Sequence, residues 1–114
     1  MKVALALEME WGLKHHSEIY AGCQKFANEE GWETSIIPTS SKALETANYD
    51  GVIARTTENF QKIAQREKIP LVNVWQNSPA KNVVNVFSNN QEAGRLAGEH
   101  LLGRGFRRFG FLGF

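Results

Sequence analysis

Six side chains in this sequence have the chemistry of a polyol site: Glu8, Trp11, Arg55, Trp75, Gln76 and Asn89. Carboxylates accept hydrogen bonds from hydroxyl groups, and amides both donate and accept them. Arginine adds a planar fork of donors, and an indole offers a flat apolar face to the C–H surface of a sugar ring. Each of the six also has a local reading. Trp11 can cover the first helix, Trp75 can be core at a strand end, Arg55 can pair with Glu8 or Glu10, and Asn89 can cap a helix. His15 and His16 read as the solvated start of a helix, His100 as a partly buried helix residue, and Cys23 as core.

The six are far apart in the chain, so only the fold can gather them. Short apolar runs alternate with helical periods. Strands are expected at Val3–Glu8, Glu33–Thr39, Asp50–Arg55, Leu71–Trp75, Asn82–Phe87 and in the closing Arg108–Phe114. The first helix runs from Leu13 to Glu30, with Ile19, Tyr20, Cys23, Phe26 and Ala27 on one face and Gly31 as its left-handed stop. A short helix follows around Lys42–Ala47. Another is capped by Thr56 or Thr57 and runs to Lys68 with Phe60, Ile63 and Ala64 inward. The last, capped by Asn89 or Asn90, turns Ala93, Leu96, Ala97, His100 and Leu101 inward. Strand–helix alternation with near-continuous apolar strands predicts an α/β fold: an open, mainly parallel sheet with helices on both faces. In such sheets ligands bind beyond the carboxyl ends of the strands. The six candidates, with Glu10, Ser88 and Asn90, all follow a strand.

The bulk numbers narrow the function. With 114 residues the chain suits one domain. Thirteen Lys and Arg residues against twelve Asp and Glu leave a net charge of +1, weak support for nucleic-acid binding by this segment. The closing Arg107–Phe114 approaches the aromatic octapeptide of RNA-recognition domains, but it arrives after about five strands and "VALALE" (Val3–Glu8) brings no aromatic partner. A lone cysteine gives no disulfide framework and no zinc-ligand spacing, and it fits a reducing cytoplasm. No run is long enough to span a membrane. No Walker loop, dinucleotide fingerprint, nucleophile elbow or HExxH motif occurs, and Arg55 ends the strand where a phosphate-accepting receiver needs an aspartate. The expectation is a binding domain and not an enzyme, with no cofactor and no metal.

Asn82–Phe114 resembles the lactose-repressor/galactose-repressor class of type I periplasmic-binding-protein-like domains. The residues that carry this are Ser88-Asn89-Asn90, Glu92-Ala93-Gly94, Glu99-His100-Leu101, Gly105-Phe106-Arg107-Arg108 and Phe109–Gly113. Tyr49–Ala54 looks like the third strand of that class and His16–Glu33 like its first helix. The resemblance covers essentially the whole chain, and Gly94–Gly113 is its most specific part. The short segment between the second and third strands and the aromatic rim look nearest to xylose-responsive transcription regulators. Phe106 stands where the class usually has histidine, and Ser88 and Asn89 where it often has an aspartate.

The resemblance implies that residues 1–114 are the N-terminal lobe of a two-lobed sensor, a fragment of a longer chain. It implies an interlobe sugar, a pentose such as xylose being favoured, held on this side by the six residues above. It further implies hinge closure as the signal, a homodimer, and DNA contacted through a separate domain outside this chain. The alternative is a solute-binding protein of a sugar transport system, which shares the fold and needs an upstream signal peptide.

Overall fold

The computed structural model of the chain describes residues 1–10, 14–40, 42–45 and 48–113. Five strands, β1 (Lys2–Ala6), β2 (Glu33–Ile36), β3 (Gly51–Ala54), β4 (Leu71–Asn73) and β5 (Val84–Asn85), form one sheet in the order β2-β1-β3-β4-β5. Every pairing is parallel, with Leu5 opposite Ile36 on one side and Ile53 on the other. β1 therefore lies inside the sheet, and its residues Val3 to Ala6 are all buried, which is why its run is continuously apolar. β2 is an edge strand, and Pro38 falls just past its end, where a missing N–H costs the ladder nothing.

Side chains of a strand alternate between faces, and the core divides accordingly. Val3, Leu5 and Leu7 join Val74 beneath Ile19, Tyr20 and Cys23 of helix α1 (His15–Glu30). Ala4, Ala6, Val52 and Ala54 face the other way. They meet Leu44 of the short α2 (Lys42–Glu45) and Phe60, Ile63 and Ala64 of α3 (Glu58–Arg66). Small alanines on β1 and β3 make room for the Phe60 ring, which is fully buried. The architecture is thus an open parallel α/β sheet with helices on both faces.

The helix ends follow local chemistry. Gly31 adopts φ 72°, ψ 27° and donates its N–H to the Ala27 carbonyl, a left-handed stop that suits glycine. Thr57, and not Thr56, caps α3: its hydroxyl accepts from the Phe60 N–H at 3.2 Å. Thr57→Ala leaves that N–H without its partner. It is expected to lower stability by about 1 kcal/mol, read as a fall in the urea midpoint at unchanged slope.

The C-terminal quarter departs from the sequence expectation. β5 is two residues long instead of spanning Asn82–Phe87. Helix α4 (Asn90–Gly103) forms as expected but buries no residue, and Leu96 is 54% exposed. Its apolar positions do not turn inward. Residues 106–113 form no strand, and Phe111 and Leu112 stand in solvent. The physical reason is placement: α4 projects from the sheet and carries the following segment away from every strand edge. The radius of gyration, 17.4 Å, shows the same projection against roughly 13 Å for a compact chain of this length.

Candidate functional site

Because all strands are parallel, their carboxyl ends share one edge, and the loops after β1, β3, β4 and β5 meet there. A cavity of about 210 Å³ opens at this edge, lined by His15, His16, Trp75, Gln76, Ser88 and Asn90 over Val74 and Phe87. A complete small-molecule pocket measures roughly 300–1,000 Å³. The cavity is smaller, of a size to be one wall of a site.

Trp75 is held by its backbone. Asn73, 1% exposed at the end of β4, accepts from the Trp75 N–H at 3.1 Å and donates to the Trp75 carbonyl at 2.8 Å. The same side chain accepts from the Thr56 N–H at 3.2 Å and donates to Asn85 Oδ1 at 2.9 Å. One buried amide thereby fixes the exits of three strands, and all four of its hydrogen-bonding directions are used. Ser78 extends the clamp. Its hydroxyl donates to the Thr56 carbonyl and accepts from the Ala80 N–H, so the loop after β4 is pinned to the loop after β3.

Arg55 continues from β3, its N–H bonded to the Ala6 carbonyl. Its guanidinium carbon lies 3.7 Å from the centre of the Trp75 ring. That distance makes it a cation–π contact. Gln76 accepts from the Asn90 side-chain amide at 2.8 Å, bridging the loop after β4 to the start of α4. Asn89 caps α4, accepting from the Glu92 N–H at 3.1 Å.

Glu8 lies at the same edge but in another hollow, one of about 370 Å³ lined by Leu7 to Glu10 and Ile36 to Thr39. There its carboxylate accepts from the Thr39 hydroxyl at 3.0 Å. So Trp75 and Gln76 line the cavity, Arg55 packs on Trp75, Asn89 sits at the cap beside Asn90, and Glu8 stands apart. Trp11 lies outside the described residues.

Two histidines enter the cavity wall that the sequence reading assigned to solvent. His16 is 7% exposed, and its Nδ1 accepts from the Glu8 N–H at 2.8 Å. That bond requires an unprotonated Nδ1, so the ring is neutral with its proton on Nε2. Burial holds the imidazole below its ordinary pKa, the positive fields of His15 and Arg55 add to this, and Glu8 opposes it. The unfolded chain then binds the extra proton first, so stability must rise with pH through this window. The contribution is complete above the ordinary imidazole value and is lost as pH falls through the lowered one. Urea midpoints are expected to be flat above neutrality and to fall in mild acid. In His16→Gln that part of the slope disappears.

No family model matches the chain, and no curated protein matches it. Among solved structures it is similar to the crystal structure of transcription regulator GntR from Chromobacterium violaceum, with a TM-score of 0.64 and 23% sequence identity. The match covers 98% of this chain and 45% of that one, so the chain spans less than half the length of that regulator. At this identity the likeness establishes the fold.

Proposed function

We propose that this chain is the sugar-sensing lobe of a transcription regulator. The observation that carries the reading is the cavity at the strand ends, where an indole, two imidazoles and two amides converge on a volume too small for a whole pocket. Amides and imidazoles suit hydroxyl groups in both hydrogen-bonding senses. Trp75 supplies the apolar face, Arg55 and Asn89 border it, Glu8 lies on the loop after the first strand, and Trp11 follows it in the sequence. The likeness to a regulator of about twice the length supports a sensor whose second wall and DNA-binding part lie in other segments.

The mechanism is closure of a hinge. A sugar that touches both walls only when they are closed shifts the population toward that form by its differential affinity. In a homodimer this changes the spacing of the DNA-binding parts. Such a protein works in the cytoplasm, beside its DNA.

The test is a titration of the intact protein with aldopentoses and aldohexoses, xylose first, watching tryptophan emission. A saturable change at millimolar sugar or below is expected, together with a sugar-dependent shift in DNA mobility. Silence from every sugar at millimolar concentration overturns the reading. Sugar binding without any DNA affinity moves the protein to the transport-coupled class.

A further inference from the structure

His16 has two attachments: it lines the cavity at the strand ends, and it ties down the residues that follow β1. Its Nδ1 accepts from the backbone N–H of Glu8, eight residues earlier, at 2.8 Å. The Glu8 carboxylate in turn accepts from the Thr39 hydroxyl at 3.0 Å, and the neighbouring Leu7 is buried in the core under α1. Glu8 is thus strapped by its backbone to α1 and by its side chain to the residues after β2. The strap to α1 depends on one proton, because an imidazole accepts at Nδ1 only while that nitrogen carries none.

Protonated, the ring presents N–H groups at both nitrogens, and a donor then faces the Glu8 donor. That bond cannot survive, so the ring must turn or Glu8 must move away. The surroundings favour release over a buried cation. His16 is the second residue of α1, where the unpaired N–H groups of the helix start oppose positive charge. His15 stands edge-on, its ring centre 5.9 Å away. Burial first, then the fields of His15 on α1 and Arg55 after β3, hold the His16 basicity down against Glu8. Trp75 and Gln76 after β4, with Ser88 and Asn90 where α4 begins, bring no charge to the cavity.

We infer that His16 is a positioning residue that works as an acid-sensitive latch: neutral, it holds Glu8 to α1 and keeps the cavity wall in place; protonated, it lets both go. A ligand that fits the latched wall binds only the neutral form. On the sugar-sensing reading, on which this part rests, apparent affinity follows the latched fraction and falls roughly tenfold for each pH unit below the His16 midpoint. By reciprocity, saturating sugar pushes that midpoint further down.

Proton–nitrogen NMR of the intact protein between about pH 8 and pH 5 tests the latch without a ligand. The Glu8 amide is expected to shift in one step that shares the midpoint of the His16 ring, below the ordinary imidazole value of about 6.5. His16→Asn offers a side-chain carbonyl in place of Nδ1 and does not titrate, so the step should vanish there. A Glu8 amide that ignores the His16 midpoint, or a step that persists in His16→Asn, overturns the latch. The wild-type titration decides alone if the variant fails to fold. Calorimetry with D-xylose and D-galactose over the same range tests the coupling. Affinity is expected to be constant above the midpoint, to fall steeply below it, and to stay flat in His16→Asn. Binding that is flat in wild type, or equally steep in His16→Asn, overturns the coupling to the cavity. Silence from every sugar at every pH removes the sensing reading, and the Glu8 amide still decides the latch.

Discussion

Asn73→Leu is expected to destabilise the fold by about 3–5 kcal/mol. Leucine has nearly the same volume, so the loss is polar. Asn73 is 1% exposed and makes hydrogen bonds to Thr56, to both backbone groups of Trp75 and to Asn85. Removing one partner of a buried bond costs about 1–3 kcal/mol for each group left unsatisfied. Asn85 is exposed and can turn to water, so the sum is smaller than four such costs. Urea unfolding followed by far-UV circular dichroism reads the stability. Tryptophan emission should change as well, because the Trp75 backbone loses two of its ties. Asn73→Asp separates the contributions. It keeps an acceptor for the Thr56 and Trp75 N–H groups but sets a carboxylate against the Trp75 carbonyl and Asn85 Oδ1. Its penalty should shrink as acid protonates it. A midpoint for Asn73→Leu within experimental error of wild type would show that water replaces the amide.

Phe60→Ala is the second large effect, about 3–5 kcal/mol, and its cause is a cavity. The ring is fully buried between Ala4, Ala6 and Ala54 of the sheet and Leu44 of α2. None of these alanines can move in to fill the space. At a urea slope of roughly 1–3 kcal/mol per molar, the midpoint should drop by about 1 M at the least. Phe60 lies on the face opposite α1, away from the cavity at the strand ends. On the proposed sugar-sensing reading, the folded fraction of Phe60→Ala should therefore bind sugar as wild type does, whereas Asn73→Leu should bind it less tightly even where it remains folded. Losing affinity in both would show that the two faces of the sheet are not independent.

How far the sequence reveals this molecule depends on which physical signal each feature leaves. β1, α1, β3 and α3 are legible because their apolar spacing and their stops, Gly31 and Thr57, are local. The parallel sheet follows from the alternation of strands and helices. α4 is legible as a helix but not as a projecting one. Its apolar positions specify a face able to pack and carry no record of what it packs on. "RFGFLGF" (Arg108–Phe114) reads as a strand from its phenylalanines, yet a strand exists only beside another, and none is in reach of residues 106–113. In the site, Trp75, Gln76 and Arg55 could be found because they end apolar runs. His16 was missed because two adjacent histidines at a helix start look solvated, and its partner, the Glu8 N–H, is a backbone group with no sequence signature. Asn73 did leave a signal: a lone amide inside "LVNVW" (Leu71–Trp75) sits where a buried strand wants only carbon, and such a residue must be bonded.

The projection of α4 has a consequence for how the molecule breathes. Its fourteen residues have no packed face to protect their amides, and a free helix of that length is marginal in water. Beyond the one tie from Asn90 to Gln76, what holds it is local: the Asn89 cap, and Arg95 paired with both Glu92 and Glu99. Each pair is worth about 0.2–0.5 kcal/mol and weakens with salt. The amide hydrogens of residues 90–103 should thus exchange with deuterated solvent long before those of β1, and faster still as ionic strength rises.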